Sequence, residues 1–227
     1  MRVARLVAVL AIGLMLVTTG CGRTVHGAAA ADPHLPGTAI TPDGFGIIAG
    51  KPDAGIQIEL YTEPQCSHCA YLQGRFGPQL RALINLGELA ITYRPVTVLD
   101  QGPNRYSARV SNALFLAAAH GTTGPAFQSF VEDVWGHQQP HGPGPSDAEL
   151  SAMAERSHVG PAAVDLIRAG RSALDTDAMS RTNTARLQGI LRDAPTTPVV
   201  YNLNSHRLLN TSQDNWVRRL MASKMTT

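Results

Sequence analysis

Two cysteines separated by two residues stand where a strand pattern gives way to a helix pattern. Residues 56–61 alternate apolar and polar side chains, which is typical of a half-buried strand. Cys66 and Cys69 follow, and from residue 67 to residue 86 apolar side chains recur at the spacing of one helix face. This order puts Cys66 at the N-terminus of the predicted helix. Free N–H groups and the positive end of the helix dipole favour an anion there, so the pattern predicts a pKa for Cys66 below roughly 8.5.

A cysteine thiolate at this position has a defined chemistry. The thiolate is the form that attacks a disulfide, which makes Cys66 the candidate nucleophile. Cys69 lies one turn further along the helix and can close a disulfide with Cys66, so it is the candidate resolving thiol. His68, between them, adds a positive charge close to the thiolate when it is protonated. Because the pair itself carries two electrons, we expect neither an organic nor a metal cofactor.

Other chemistry is compatible with the same cysteine spacing. The pair could be half of a zinc site, which needs two further Cys or His ligands, or it could be an inert structural disulfide. His137 and His141 could complete a zinc site in principle, but they lie in a Pro/Gly-rich loop that predicts solvated side chains. Three cysteines in 227 residues exclude a disulfide-stapled scaffold.

The first 21 residues have the layout of an export signal. Arg2 and Arg5 precede an apolar run at residues 6–17, small residues follow, and Cys21 closes the segment. The small residues ending on a cysteine resemble the lipobox of bacterial lipoproteins, in which that cysteine is acylated and becomes the new N-terminus. The resemblance implies a signal peptide at 1–20 and a lipid anchor at Cys21, with palmitate-type chains; an uncleaved anchor or an ordinary signal peptide is the alternative.

Composition and charge describe an ordinary globular chain behind this segment. The hydrophobic fraction is 44% and the charged fraction 16%, which excludes wholesale disorder. The formal charge of +2 is too small to indicate a nucleic-acid partner, and loss of Arg2 and Arg5 leaves the chain near neutrality. Residues 21–45 are rich in Ala, Gly, Pro and Thr and are interpreted as a flexible tether, which leaves residues 46–227 for one domain.

The order of predicted elements indicates an α/β fold with a helical insertion. Strand signals at 56–61, 89–99, 198–203 and 207–209 bracket a helical block at about 103–192, and a last helix follows Ser212, its expected cap. Gly74, Gly77 and Pro78 predict a kink or break in the helix after the cysteines. Pro95 predicts a bulge or an edge position for its strand. Ser146 and Glu149 form a capping-box pattern inside the helical block.

These features together resemble the DsbA-like branch of the thioredoxin superfamily. Residues 61–69, which contain the cysteine pair, are similar to its active-site segment, and residues 197–200 are similar to its cis-proline strand. The resemblance covers roughly residues 46–221 and implies a thioredoxin-like fold with an all-helical insertion. It implies that Thr197–Pro198 is a cis peptide facing the cysteines and that Thr197 contacts an extended substrate chain. Ser67 departs from the family, which has proline after the first cysteine.

Two acidic residues are candidates for moving protons or tuning the cysteines. Glu63 lies three residues before Cys66, where the resembled family often has an acid. Glu59 alternates with apolar neighbours in the first predicted strand. It is either a buried acid that moves protons to Cys69 or a surface or paired strand glutamate.

The function implied by the resemblance is exchange of thiols and disulfides outside the cytoplasm. Unfolded or extended exported proteins are the expected substrates, and a membrane redox partner, quinone-linked in the family, is expected to recharge the cysteine pair. A reductase or isomerase on the same cysteines is an open alternative. A lipoprotein that uses the fold as a chaperone or binding surface without redox turnover is another.

Overall fold

A six-stranded mixed sheet forms the centre of the computed structural model, which describes residues 35–101, 103–140, 142–191 and 196–223. The predicted signal peptide at 1–20, Cys21 and His141 lie outside the described residues. The strands, in chain order, are β1 (Gly37–Ile40), β2 (Ile47–Gly50), β3 (Ile56–Thr62), β4 (Leu89–Pro95), β5 (Val199–Asn202) and β6 (Arg207–Leu209).

The order of the strands across the sheet is β1-β2-β4-β3-β5-β6. β3 and β4 run parallel and are joined through a helix, whereas every other neighbouring pair is antiparallel. β3 therefore lies between β4 and β5, buried along most of its length. The residues that follow β3 and those that precede β5 come out at the same edge of the sheet, since these two strands are antiparallel neighbours.

Seven helices belong to the described residues. They are α1 (Ser67–Asn85), α2 (Tyr106–Ala119), α3 (Gly124–Gly136), α4 (Asp147–Arg156), α5 (Pro161–Arg168), α6 (Thr176–Leu191) and α7 (Trp216–Ser223). α1 packs against α3 and, through an edge-to-face contact of Phe76 with Trp216, against α7. α6 covers the other side of β3, where Leu187 packs on Tyr61 and Val199.

The predicted α/β class and helical insertion are confirmed. The helices α2 to α6 fall inside the range expected for the insertion, and β5 and β6, at the last two strand signals, pair as an antiparallel hairpin. The capping box is present: Ser146 accepts from the N–H of Glu149, and the Glu149 carboxylate accepts from the N–H of Ser146. Four aromatic side chains of the helices are buried in the core, namely Phe127, Phe130, Trp135 and Trp216.

Several local expectations are wrong. α1 continues without a break through Pro78, and Gly77 lies where α3 approaches so closely that an added Cβ would be 2.6 Å from Glu132 Cγ. Pro95 is in no edge strand, because β4 pairs on both sides; it is the last residue of β4, beyond the ladder with β2. The last helix begins at Trp216, and the residues after Ser212 form turns.

The ordered sheet also begins earlier than the predicted domain boundary. β1 lies inside the range 21–45 that the composition assigns to a tether, and it pairs with β2 along its whole length. The hydroxyl of Thr38 donates to the carbonyl oxygens of Ala118 and Thr122, which ties β1 to the end of α2. The tether prediction is therefore wrong for this part of its range.

None of the helices in the described ranges is both long enough and apolar enough to span a bilayer.

Candidate active site around the cysteine pair

Cys66 is the N-cap residue of α1. Its backbone is extended (φ −79°, ψ 117°), and its carbonyl oxygen accepts the first helical hydrogen bonds from the N–H groups of Cys69 and Ala70. The Cys66 side chain is half-buried, Ser67 and His68 are exposed, and Cys69 is buried. Both thiols are free in this structure. The accessible sulfur is thus the one at the helix N-terminus.

The two thiols differ strongly in acidity. The pKa of Cys66 is lowered from 9.0 to about 5, first by a hydrogen bond from the Cys69 thiol and further by the Thr197 side chain and the N–H groups of Cys69 and His68. Burial is the main cause that raises the pKa of Cys69 far above its ordinary value, and the neighbouring Cys66 adds to it. Cys66 is therefore a thiolate at neutral pH while Cys69 keeps its proton.

The segment before β5 faces the cysteines. The Thr197–Pro198 peptide bond is cis, as the resemblance implied, and the Cys66 Sγ lies 3.2 Å from the Thr197 carbonyl oxygen. Beside it is a groove of about 330 Å³ with a largely exposed tyrosine, Tyr71, in its wall. Its other lining residues are His68, Leu72, Phe76, Thr197, Pro198, Thr211 and Ser212.

Glu63 lies directly behind the cysteines in the turn that joins β3 to α1. Its backbone N–H donates to Cys69 Sγ at 3.5 Å, and its carboxyl group accepts from the Ser107 hydroxyl and from the N–H groups of Gln65 and Leu99. The side chain is fully buried, and burial raises its pKa from 4.5 to about 7 despite these hydrogen bonds. The Glu63 carboxyl group therefore titrates close to neutral pH, and the backbone N–H of the same residue contacts the Cys69 sulfur.

Glu59 has different surroundings. Ile58 and Leu60 belong to the same core cluster as Cys69, so Glu59, between them in β3, faces the opposite side of the sheet. Its carboxylate pairs with Arg94 at 3.1 Å and with Arg186 at 3.5 Å, and it accepts from the Tyr61 hydroxyl at 2.9 Å. These contacts are those of a paired strand glutamate, which is one of the alternatives that the sequence left open. They lie on the face of the sheet opposite Cys69.

Four polar residues of the site, Gln65, Asp100, Ser107 and Gln138, were not identified as candidates from the sequence. Ser107, at the start of α2, holds the Glu63 carboxyl, and the Gln65 side chain donates to Ser107 and to Asp100. Gln138, in the loop after α3, donates to the backbone of the active-site turn. The side chains of the loop that contains Gln138 were predicted to be solvated, because the loop is rich in proline and glycine.

The zinc alternative finds no support in the described residues. They contain no group of three or more His, Cys, Asp or Glu side chains placed to hold a metal ion. His137 is largely exposed, and its Nδ1 pairs with Asp133 at 3.0 Å. His141, the other expected ligand, lies outside the described residues.

The sheet order, the cysteine pair at the start of α1 and the cis peptide opposite it define a thioredoxin-fold protein with a dithiol site. The chain belongs to the thioredoxin family, whose model, described as thioredoxin, matches residues 43–220. A search of curated protein sequences finds no significant match.

Solved structures similar to this chain share its fold at low sequence identity. MdbA, a thiol-disulfide oxidoreductase from Corynebacterium matruchotii, superposes with a TM-score of 0.69 at 16% identity, over 84% of this chain and 94% of that one. MdbA from Corynebacterium diphtheriae gives 0.66 at 17%, over 86% and 100%. Reduced DsbA from Mycobacterium tuberculosis gives 0.61 at 18%, over 81% and 94%. At these identities the similarity establishes the fold.

Proposed function

We propose that this protein is an extracytoplasmic thiol–disulfide oxidoreductase that forms disulfides in exported proteins through Cys66 and Cys69. One observation carries the proposal: the half-exposed Cys66 sulfur is at the start of α1, hydrogen-bonded to a buried Cys69 and 3.2 Å from the Thr197 carbonyl oxygen. The two MdbA proteins of the same fold are thiol-disulfide oxidoreductases, which supports this assignment.

The oxidising reaction is a sequence of two thiol–disulfide exchanges. A substrate thiolate attacks Sγ of Cys66 in the Cys66–Cys69 disulfide; that S–S bond breaks, a mixed disulfide forms at Cys66, and Cys69 leaves as a thiolate that takes up one proton. A second substrate thiolate then attacks the substrate sulfur of the mixed disulfide and releases Cys66 as a thiolate. The substrate loses two electrons and the cysteine pair gains them, so a partner disulfide must reoxidise the pair.

The acidity of Cys66 favours this direction. A thiol with a pKa of about 5 is a good leaving group in the second exchange, since it departs as the stable thiolate. Stabilising the reduced form also raises the reduction potential of the pair, because about 30 mV corresponds to 1.4 kcal/mol for a two-electron couple. The N–H groups of His68 and Cys69 supply part of that stabilisation.

The groove beside the cysteines suits an extended polypeptide. The backbone of Thr197 borders the Cys66 sulfur and can pair with a substrate strand, while the exposed ring of Tyr71 offers an apolar contact. Such contacts do not depend on one substrate sequence. We therefore propose unfolded or extended chains as substrates, with Thr197 and Pro198 as the substrate-binding residues.

Proton exchange with Cys69 is proposed for Glu63. Its pKa of about 7 lets it gain or lose a proton near neutral pH, and its own backbone N–H contacts the Cys69 sulfur. We also propose that Ser67 and His68, which are exposed next to the nucleophile, tune its reactivity.

We further propose that the protein is held at the extracytoplasmic face of the membrane by a lipid anchor at Cys21. The support is the sequence of residues 1–21, with its basic start, short apolar run and terminal cysteine. Two acyl chains on one cysteine are enough for stable anchoring. A membrane redox partner would then meet the cysteine pair close to the bilayer.

The test is a redox titration of the Cys66/Cys69 couple in glutathione buffers, with thiols measured by alkylation. A potential near about −120 mV, as in strong oxidants, is expected for disulfide formation. A value near about −270 mV would instead assign a reductase or a reduced-state isomerase. If the pair does not cycle, or if Cys66→Ser leaves function intact, the protein is a binding or chaperone lipoprotein.

A further inference from the structure

A side chain of the loop after α3, Gln138, forms hydrogen bonds to the active-site turn. The Gln138 amide nitrogen donates to the carbonyl oxygen of Pro64 at 2.7 Å and to that of Cys66 at 3.0 Å. One amide group, with its two N–H bonds, therefore bridges the Pro64–Gln65 and Cys66–Ser67 peptide units. The contact crosses 72 residues of chain, from the helical insertion to the nucleophile.

The turn at residues 63–66 has one backbone hydrogen bond of its own, from the Cys66 N–H to the Glu63 carbonyl at 3.0 Å. The Gln65 side chain donates hydrogen bonds to the side chains of Asp100 and Ser107. Gln138 adds the bonds that orient the Pro64 and Cys66 carbonyls. The Cys66 carbonyl also accepts from the N–H groups of Cys69 and Ala70, so its orientation is linked to the first turn of α1.

We propose that Gln138 is a positioning residue that holds the turn at residues 64–66, and with it the Cys66 sulfur, in the geometry in which Cys66 reacts. The proposal rests on the function proposed above. Gln138 acts through the backbone: its described hydrogen bonds are to carbonyl oxygens and not to the sulfur. The helical insertion thereby takes part in the reactivity of the cysteine pair.

The chemistry of the amide defines the informative substitutions. Gln138→Ala removes both donors. Gln138→Glu keeps the shape but, as a carboxylate, can only accept, and it would face two carbonyl oxygens without a proton to share. Gln139→Ala is the matched control, since Gln139 is exposed and its contact with the Tyr106 hydroxyl uses its backbone N–H.

The experiment measures the rate at which iodoacetamide alkylates Cys66 in the reduced full chain as a function of pH. Loss of a hydrogen bond of ordinary net strength corresponds to a change of roughly three- to tenfold. We expect the rate near pH 5 to fall by about this factor in Gln138→Ala and by at least as much in Gln138→Glu. The plateau rate at high pH and the profile of Gln139→Ala should stay as in the unmodified chain.

A second measurement separates positioning from loss of fold. Amide hydrogen exchange at the Cys66 N–H should accelerate in Gln138→Ala, while exchange in β3 and α3 stays unchanged. A Gln138→Ala chain with an unaltered alkylation profile and unaltered exchange at Cys66 overturns the proposal. If the unmodified chain does not exchange electrons with disulfides but its alkylation profile still depends on Gln138, the proposed function fails and the positioning role stands.

Discussion

At the scale of single residues, the buried Cys69 thiol has a direct effect on the nucleophile. Its hydrogen bond is the largest cause of the low pKa of Cys66. We expect Cys69→Ala, which removes the donor, to raise the pKa of Cys66 above about 5, and Cys69→Ser, which keeps a hydroxyl donor, to raise it less. The pH dependence of Cys66 alkylation measures both. Identical profiles for the Ala and Ser variants would show that the Cys69 donor is not the cause.

Glu63 makes a second prediction, for stability against pH. Its folded pKa of about 7 exceeds the ordinary 4.5, so the folded chain binds the proton more tightly and this group's contribution to stability is lost as pH rises from 4.5 through 7. That difference in pKa corresponds to about 3 kcal/mol. Relative to the unmodified chain, Glu63→Gln should therefore become more stable by up to about 3 kcal/mol as pH rises across this window.

Denaturant unfolding of the oxidised proteins tests this effect of Glu63, because neither Cys66 nor Cys69 titrates in them. Glu155→Gln, at a largely exposed carboxylate, is the matched control and should follow the profile of the unmodified chain. Parallel profiles for Glu63→Gln and the unmodified chain would contradict a raised pKa at this position.

The sequence predicts the residues of the site that a local pattern specifies. Cys66 and Cys69 follow from their spacing at a strand–helix junction, and Thr197 follows from a short segment similar to a known family. Gln138 and Ser107 could not be predicted, because their roles arise from contacts that cross 72 and 44 residues of chain. A glutamine in a Pro/Gly-rich loop is predicted to be solvated, because only the fold places its carbonyl partners close to it.

At the scale of elements, a charge cluster built around the buried Arg94 and Glu59 joins the sheet to α6. Arg94 in β4, only 4% exposed, pairs with Glu59 in β3 and with Asp43 at 2.7 Å in the turn between β1 and β2. Arg186 of α6 reaches Glu59 and Asp43 from the other side. The cluster thus fixes four segments at one point, on the face of the sheet opposite Cys69.

Removing one member of this cluster should destabilise the fold without changing the cysteines. Arg94→Met leaves the Glu59 carboxylate buried with fewer partners, and breaking a buried pair in this way costs about 3 to 5 kcal/mol. Because Arg186 and the Tyr61 hydroxyl still contact Glu59, the free energy of unfolding should fall by at most that amount in Arg94→Met. Glu59→Gln, compared at each pH with the unmodified chain, should leave the alkylation profile of Cys66 and the rate of mixed-disulfide resolution by Cys69 unchanged. A shifted pH dependence of resolution would instead support Glu59 as a proton carrier to Cys69.

Some elements can be predicted from residues that are neighbours in the sequence, whereas others depend on contacts with distant segments. The capping box at Ser146 and Glu149 acts within four residues, and the structure contains it. β1 depends on a distant partner, because its backbone pairs with β2 and its four residues are at most partly buried. From the sequence alone, such a short run in an Ala/Gly/Pro-rich stretch is interpreted as part of a tether. Pro95 shows the same limit, because the neighbours on both sides of β4 are decided by the sheet order.

At the scale of the whole molecule, the site is assembled from distant parts of the chain. α1 supplies the cysteines, the segment before β5 supplies Thr197, and the helical insertion supplies Ser107 and Gln138. The redox state of the pair is therefore linked to the stability of the entire fold. The free energy that stabilises the Cys66 thiolate in the folded chain is absent from the unfolded chain, where the thiol has its ordinary pKa.

This linkage predicts how the two redox forms differ in stability. The folded pKa of Cys66 is lowered from 9.0 to about 5, so its contribution to the reduced form is fully present above pH 9 and is lost as pH falls through 5. The oxidised form has no such contribution, whereas Glu63 acts in both. We expect the free energy of unfolding of the reduced form minus that of the oxidised form to increase as pH rises from 5 to 9.

Denaturant unfolding of both forms at several pH values measures this difference. The double variant Cys66→Ala/Cys69→Ala, unfolded with and without reductant, is the control and should show no such dependence on pH. A difference between reduced and oxidised chains that stays constant over this range would mean that the fold does not stabilise the thiolate, and the proposed oxidising direction would lose its physical basis.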